Sequence, residues 1–270
     1  MVRPNWRAAI QRGTLKKHYV PSEQRRKLGH ITPSSNTVLE PLTGLMSRAY
    51  DDRVSHHFTR IKVEAISLER RHTDQFSAEA MLSAADLLND AAVDAIVWNG
   101  TSGAWNGVEA DREICALISE RTGVPSSTST LAQLEVMTQF RFGRCALAVP
   151  YTDAVAERIA RVYACEGVQV VSAANAGVSG NREMALVSEA QTRALVRAAD
   201  SPEAECIMLI CTGVAGAQLV AELEQELGKP IFDSVAVSLW KGLRLVGIKP
   251  RLEGWGCLLA GTEFALSPSR

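Results

Sequence analysis

The 270 residues contain no apolar run long enough to cross a bilayer. The longest uncharged stretch, residues 206–221, is 16 residues long and is interrupted by Thr212, Gly213, Gly216 and Gln218, against the roughly 18–20 needed. A membrane-spanning helix is excluded. No C-x-x-C pair occurs either. The six cysteines, Cys115, Cys145, Cys165, Cys206, Cys211 and Cys257, are scattered without regular spacing, which reads as reduced thiols in a cytoplasmic compartment. No charged start leads into an apolar h-region, so no secretory signal is expected. The P-loop, G-x-G-x-x-G, H-E-x-x-H and G-x-S-x-G patterns are all missing. His30, His56, His57 and His72 have no metal-ligand spacing with cysteines or acids. Neither a metal nor a cofactor is expected.

What is present describes a globular protein. Apolar residues make up 46% and charged residues 22%, enough for a real core in one large domain or two small ones. The net charge of −1 conceals an asymmetry. Residues 1–27 carry eight basic side chains against Glu23 alone, leaving 21 basic against 29 acidic in the remainder. This basic extension reads as a mobile tail outside the fold, with contact to an anionic partner or a presequence as alternatives. The acidic body, net −8, argues against nucleic acid as the main partner.

From Lys27 onward, short apolar runs ending in Gly, Ser or Thr alternate with stretches of helical period. That is βα alternation, and it predicts parallel sheets covered by helices. Strands are expected at 28–32, 54–65, 95–98, 145–149, 168–173, 206–210 and 231–233, and helices at 37–49, 77–90, 108–121, 129–140, 152–166, 189–199, 216–227 and 235–246.

The chain also repeats itself. Pro33, Asn36, Val38 and Glu40 align with Pro150, Asp153, Val155 and Glu157. Residues 94–102 align with 205–213, so that Gly100 matches Cys211 and Thr101 matches Thr212. Gly123, Pro125 and Ser129 match Gly228, Pro230 and Ser234 at identical spacing. Three blocks in the same order predict two pseudo-symmetric parallel-sheet α/β units facing a shared cleft. The expected division is a first unit at 28–142, a second at 143–235, and a C-terminal helix and strand at 236–270 packing back on the body. In open α/β sheets the ligand crevice lies outside the carboxyl ends of the strands. Pro33 to Asn36, Gly100 to Gly103, Pro150 to Thr152 and Cys211 to Gly213 should therefore meet there.

Each of these ends carries small hydroxylated residues or glycine: Ser34, Ser35 and Asn36; Thr101, Ser102 and Gly103; Thr212 and Gly213. They either form an anion site at helix N-termini or only cap those helices. Cys211 ends an apolar strand before a Thr-Gly turn. A lowered thiol pKa would suit it to nucleophilic or acid/base work, and a buried inert thiol is the alternative. Trp98, Trp105 and Trp240 either fill the core or wall the cleft.

The run Pro33-Ser34-Ser35-Asn36-Thr37-Val38-Leu39-Glu40-Pro41, the block Asn99-Gly100-Thr101-Ser102-Gly103, the Pro150-Tyr151-Thr152-Asp153 start and the Cys211-Thr212-Gly213 turn resemble the Asp/Glu racemase superfamily. Within it they look like the branch of maleate cis-trans isomerase and arylmalonate decarboxylase. The resemblance covers about residues 28–262. It implies a cofactor-free site between two halves, with a cysteine from each half in racemases and isomerases. Here Gly100 replaces the first cysteine, and Cys211 alone remains, which is the decarboxylase pattern. The resemblance further implies that Thr101, Ser102, Tyr151 and the backbone N–H of Thr212 form a dioxyanion hole for a carboxylate, and that Cys211 donates a proton. Asn36, with Ser35 beside it, and Asn181 resemble carboxylate ligands of the isomerases. A decarboxylase of a substituted malonate-like acid is thus expected, with a maleate isomerase-like enzyme and a non-catalytic carboxylate binder as alternatives. The expected partner is a small mono- or dicarboxylate, and a homo-oligomer is compatible with the sequence.

Overall fold

The computed structural model describes residues 20–262. Most of the basic extension lies outside them, as do residues 263–270. Among the described residues the main elements alternate strictly. The first half runs β1 (Arg26–Pro33), α1 (Leu39–Ser47), β2 (Val54–Ile61), α2 (Ala78–Asp90), β3 (Ala95–Trp98), α3 (Val108–Thr122), β4 (Ser126–Thr128) and α4 (Ser129–Phe140). The second half follows with β5 (Arg144–Val149), α5 (Asp153–Cys165), β6 (Gln169–Asn175), α6 (Glu189–Ala199), β7 (Cys206–Leu209), α7 (Val220–Leu227), β8 (Ile231–Asp233) and α8 (Ser234–Leu245).

Each half builds one parallel four-stranded sheet, ordered β2-β1-β3-β4 and β6-β5-β7-β8. The central strands β3 and β7 are buried along their whole length, as parallel strands covered on both faces require. The repeated residues occupy equivalent places. Asp94 accepts from the Lys27 backbone N–H at 2.6 Å, and Glu205 accepts from the Arg144 N–H at 2.8 Å. The carbonyl of Pro125 accepts from Ile96, and that of Pro230 from Ile207. Gly123 and Gly228 end α3 and α7 with φ of 74° and 64°, the left-handed conformation that glycine adopts without strain.

The halves join along α4 and α8 through a reciprocal pair of contacts. The hydroxyls of Ser129 and Ser238 lie 2.6 Å apart, and Gln133 Nε2 donates to Ser234 Oγ at 3.1 Å. Because Ser129 matches Ser234 and Gln133 matches Ser238 at the same spacing, the two contacts are related by the pseudo-two-fold axis. Tyr163 completes this buried polar seam by donating to Gln133 Oε1 at 2.8 Å. The α8 helix is buried on almost every side. Its Gly242 lets the backbone press against Leu28 of the first sheet, where a Cβ would lie 2.5 Å from Leu28 Cδ2.

Several expectations are corrected. The expected C-terminal strand is missing among the described residues: beyond α8 there is only one helical turn, Cys257–Ala260, tied down where Glu224 accepts from the Cys257 N–H and thiol. The first strand starts at Arg26, so the extension gives up Arg26 and Lys27 to the sheet. The second strand stops at Ile61, because Ser34 Oγ takes the Val63 N–H and draws the chain across the carboxyl end. A three-residue strand, Ser126–Thr128, had no apolar signal. The helix expected from Gly216 begins at Val220, after a 3-10 turn.

Two carboxyls are fully buried. Asp111 accepts from Thr128 Oγ1 under the Gly103 turn, and Asp233 caps α8 through the N–H groups of Val235 and Ala236. Burial pushes each from 3.8 to about 7. A raised carboxyl pKa means that the folded state holds more protons than the unfolded one between these limits. Stability therefore falls as pH climbs from about 4 to about 7, by on the order of 4 kcal/mol per group. Asp233→Asn keeps the capping oxygen and should roughly halve this slope, the rest coming from Asp111, read as urea midpoints at pH 5 and pH 8.

Candidate active site

The carboxyl ends of β1, β3, β5 and β7 converge where the halves meet. After β1, Asn36 Oδ1 accepts from the N–H groups of Val38 and Leu39, starting α1. Its Nδ2 reaches across the cleft to the Thr212 carbonyl at 2.9 Å and to Thr212 Oγ1 at 3.2 Å. Thr212 Oγ1 donates in turn to the carbonyl of Asn99, after β3, at 2.8 Å. The amide of Asn36 thus spends its oxygen on starting α1 and its nitrogen on holding the two halves together.

Thr101 Oγ1 and Tyr151 Oη share a hydrogen bond of 2.9 Å, again between halves. The Cys211 sulfur accepts from the Gly213 N–H at 3.3 Å, with the Tyr151 hydroxyl nearby favouring its thiolate. Ser102 Oγ accepts from the indole N–H of Trp98 at 3.2 Å. Its own proton remains available to another acceptor. On the other flank, Asn181 Nδ2 donates to Ser35 Oγ at 2.7 Å, and Ser35 donates to the Val63 carbonyl at 3.0 Å. Asn36, Thr101, Ser102, Tyr151, Asn181, Cys211 and Thr212 are all buried, none more than 8% exposed.

The residues expected at the four strand ends, with Asn181, are therefore brought to one place. Two segments cross beside it, with an antiparallel bridge between Ala65 and Gly180 and a 2.9 Å bond from the Ile66 N–H to the Ser179 carbonyl. A cavity of about 720 Å³ lies elsewhere, at the amino ends of the first sheet beside Arg26, Arg53 and Asp94.

The electrostatics correct one expectation. Cys211 is not acidified: burial pushes its thiol up to about 11, although Tyr151 and the N–H groups of Gly213 and Val214 favour the thiolate. Burial dominates, and the chain after Cys211 makes no α-helix until Val220, so no α-helix N-terminus points at the sulfur to offset it. At neutral pH the group is a thiol and a potential proton donor. Burial also holds Tyr151 protonated, its pKa well above 10. Glu40 and Glu157 pair with Arg60 and Arg161 on helix surfaces. Among the described residues, no cluster of His, Cys, Asp or Glu is placed to hold a metal ion, and no helix is long and apolar enough to cross a membrane.

Arg60 has no sequence signal, and the sequence leaves Trp98 open between core and cleft wall. Arg60, on the edge strand β2, donates to the carbonyls of Ser34 and Asn36 at 2.8 and 2.9 Å and so braces the loop from outside. Trp98 lies over Gly100: a Cβ there would be 2.1 Å from the indole Cζ2.

The family model described as arylmalonate decarboxylase matches residues 49–259. The chain belongs to the arylmalonate decarboxylase family. It is 31% identical over 145 residues to the arylmalonate decarboxylase of Bordetella bronchiseptica, a match covering 53% of this chain and 60% of that protein. A maleate isomerase of Nocardia farcinica is 24% identical over 241 residues, covering 87% of this chain and 95% of the relative. Among solved structures, a liganded arylmalonate decarboxylase with a glycine-to-cysteine and a cysteine-to-serine exchange superimposes with a TM-score of 0.78 at 25% identity, over 88% of this chain and all of that one. The Nocardia farcinica isomerase, as a cysteine-to-serine variant with a covalently bound succinylcysteine intermediate, gives 0.78 at 22% identity, over 87% and 98%. The decarboxylase family and the maleate isomerases therefore share this two-sheet α/β fold, and the chain sits in the branch that holds both.

Proposed function

We propose that this chain is a cofactor-independent decarboxylase of a substituted malonate-like acid. One observation carries the reading. Cys211 is a buried, protonated thiol, and the equivalent position in the other half is Gly100. A protonated thiol suits proton delivery, whereas addition to a double bond needs a thiolate.

The chemistry follows from the donors present. One substrate carboxylate is held by the hydroxyls of Thr101, Ser102 and Tyr151 and the Thr212 N–H. The bond from the α-carbon to the second carboxylate breaks and CO2 leaves. The electron pair stays on the α-carbon and spreads into the retained carboxylate as an enediolate, whose growing charge these donors stabilise. The S–H bond of Cys211 then breaks as its proton joins the α-carbon. The resulting thiolate is held by the N–H groups of Gly213 and Val214 until it takes a proton from water. Overall, a malonate dianion and water give a monocarboxylate and bicarbonate.

A second reading has its own support. Ser35, Asn36 and Asn181 lie together as isomerase-like carboxylate ligands would, and an isomerase with a succinylcysteine has been solved on this fold. It needs a nucleophilic cysteine, which Gly100 does not supply. A proton NMR time course with maleate and with a panel of aryl- and alkylmalonates separates the readings. Loss of a malonate with growth of the monocarboxylate supports the decarboxylase. Fumarate formed from maleate, with every malonate untouched, would establish the isomerase. Tight diacid binding without any product would leave a carboxylate-binding protein.

A further inference from the structure

The absent thiol at residue 100 is only half of what distinguishes the two faces of this site. Cys211 and Gly100 are pseudo-symmetric, so a side chain at residue 100 would approach a bound intermediate from the face opposite Cys211. That space is already filled. A Cβ on Gly100 would lie 2.1 Å from Trp98 Cζ2, 2.3 Å from Cε2 and 2.9 Å from Cη2, distances that no real Cβ tolerates. The obstacle is a rigid ring, not the end of a flexible chain. Trp98 cannot swing away freely, because it is 1% exposed, its N–H is bonded to Ser102 Oγ, and Phe76 packs against it at 6.1 Å between ring centroids.

We infer that Trp98 is a specificity-determining residue: its indole closes the face of the intermediate opposite Cys211 and, together with the single thiol, sets the handedness of the product. This rests on the proposed decarboxylation. The benzo ring carries no exchangeable proton, and the one N–H that the indole has is committed to Ser102. A planar enediolate between Cys211 and Trp98 has a proton source on one side and a carbon surface on the other. The same N–H orients Ser102 so that the hydroxyl proton faces the substrate carboxylate, which couples the closed face to carboxylate binding. A cysteine introduced at residue 100 alone therefore cannot take the place that a second catalytic thiol needs.

Two readouts test this separately. The first is independent of any activity: thermal unfolding of Gly100→Ala, Trp98→Leu and the double variant. Gly100→Ala should lower Tm by about 5 °C or more, as overpacking against a rigid core ring does, and the loss should largely vanish in the Trp98→Leu background. If Gly100→Ala does not fold, recovery of folded protein in the double variant is the same result. An equal loss in both backgrounds, or failure of the double variant where Trp98→Leu alone folds, overturns the contact.

The second readout is exchange and racemisation of an enantiopure 2-arylpropionate in D2O. Trp98→Leu/Gly100→Cys should racemise it at least about tenfold faster than Gly100→Cys does. Equal rates in the two variants overturn the role of Trp98. If the unsubstituted protein decarboxylates no malonate, the functional reading fails, while the unfolding data still decide whether Trp98 occupies the face at residue 100.

Discussion

Replacing Cys211 with alanine should lower decarboxylation about 10³-fold and leave the unfolding temperature close to that of the parent, because a positioned general acid contributes roughly 10²–10⁴. The sulfur is buried in the core and accepts from the Gly213 N–H, so alanine leaves a small cavity that should cost on the order of 1 kcal/mol and a Tm change of a few degrees at most. The binding donors remain in place, so KM should change far less than kcat, the pattern of an interaction made only in the transition state. Cys211→Ser tests the acid more finely. It keeps the size and the hydrogen bonds but offers a much weaker acid, and it should be nearly as slow as alanine. Rates within about twofold of the parent in either variant would remove Cys211 from the chemistry.

The second large effect concerns the retained carboxylate. Thr101 and Tyr151 come from different halves and share a 2.9 Å hydrogen bond. Tyr151→Phe removes a donor to the developing enediolate and should cost about 10²–10³ in kcat, the usual loss for one donor in a preorganised anion site. Thr101→Val should fall in the same range. The double variant should lose less than the product of the single losses, because the two hydroxyls orient each other. Burial keeps the Tyr151 hydroxyl protonated across the physiological range, so this donation does not titrate away between pH 6 and 9. Single-turnover rates of the four proteins provide the check. Multiplicative losses would mean that the two hydroxyls act independently.

Much of this site was legible because the chain repeats itself. The pairs Asp94 and Glu205, Pro125 and Pro230, and Gly123 and Gly228 carry backbone duties that any βα unit of this shape requires, and they recur in the same order in both halves. The four strand ends followed from that repeat. Less accessible were features set by contacts between distant residues. The strand Ser126–Thr128 is polar and short, and it exists because β3 offers it a partner. The pKa of Cys211 depends on its burial and on where α7 begins, and local sequence suggested the opposite direction. Trp98 reads in sequence as either core or cleft wall, since nothing there shows that its ring folds back over the residue two positions on. Arg60 reads as a charged residue on a strand edge, and its bonds to the Ser34 and Asn36 carbonyls appear only once β2 lies beside β1.

The role of Asn36 shows where resemblance and geometry diverge. Its amide resembles an isomerase carboxylate ligand, yet here it caps α1 and clasps the Thr212 carbonyl, leaving no donor for a substrate in this closed arrangement. Asn181, with one amide bond to Ser35, keeps a second N–H in reserve. Under the proposed function, Asn181 rather than Asn36 is the asparagine with a donor left for a second carboxylate.

The account turns on one buried thiol delivering one proton to one face. The most direct measurement is chiral analysis of the monocarboxylate formed from a prochiral 2-aryl-2-methylmalonate by the unsubstituted protein, with Cys211→Ala run in parallel. The account predicts a single enantiomer from the parent and no enzymatic product from the variant. A racemic product, or the same enantiomer formed at the parent rate without Cys211, would contradict it.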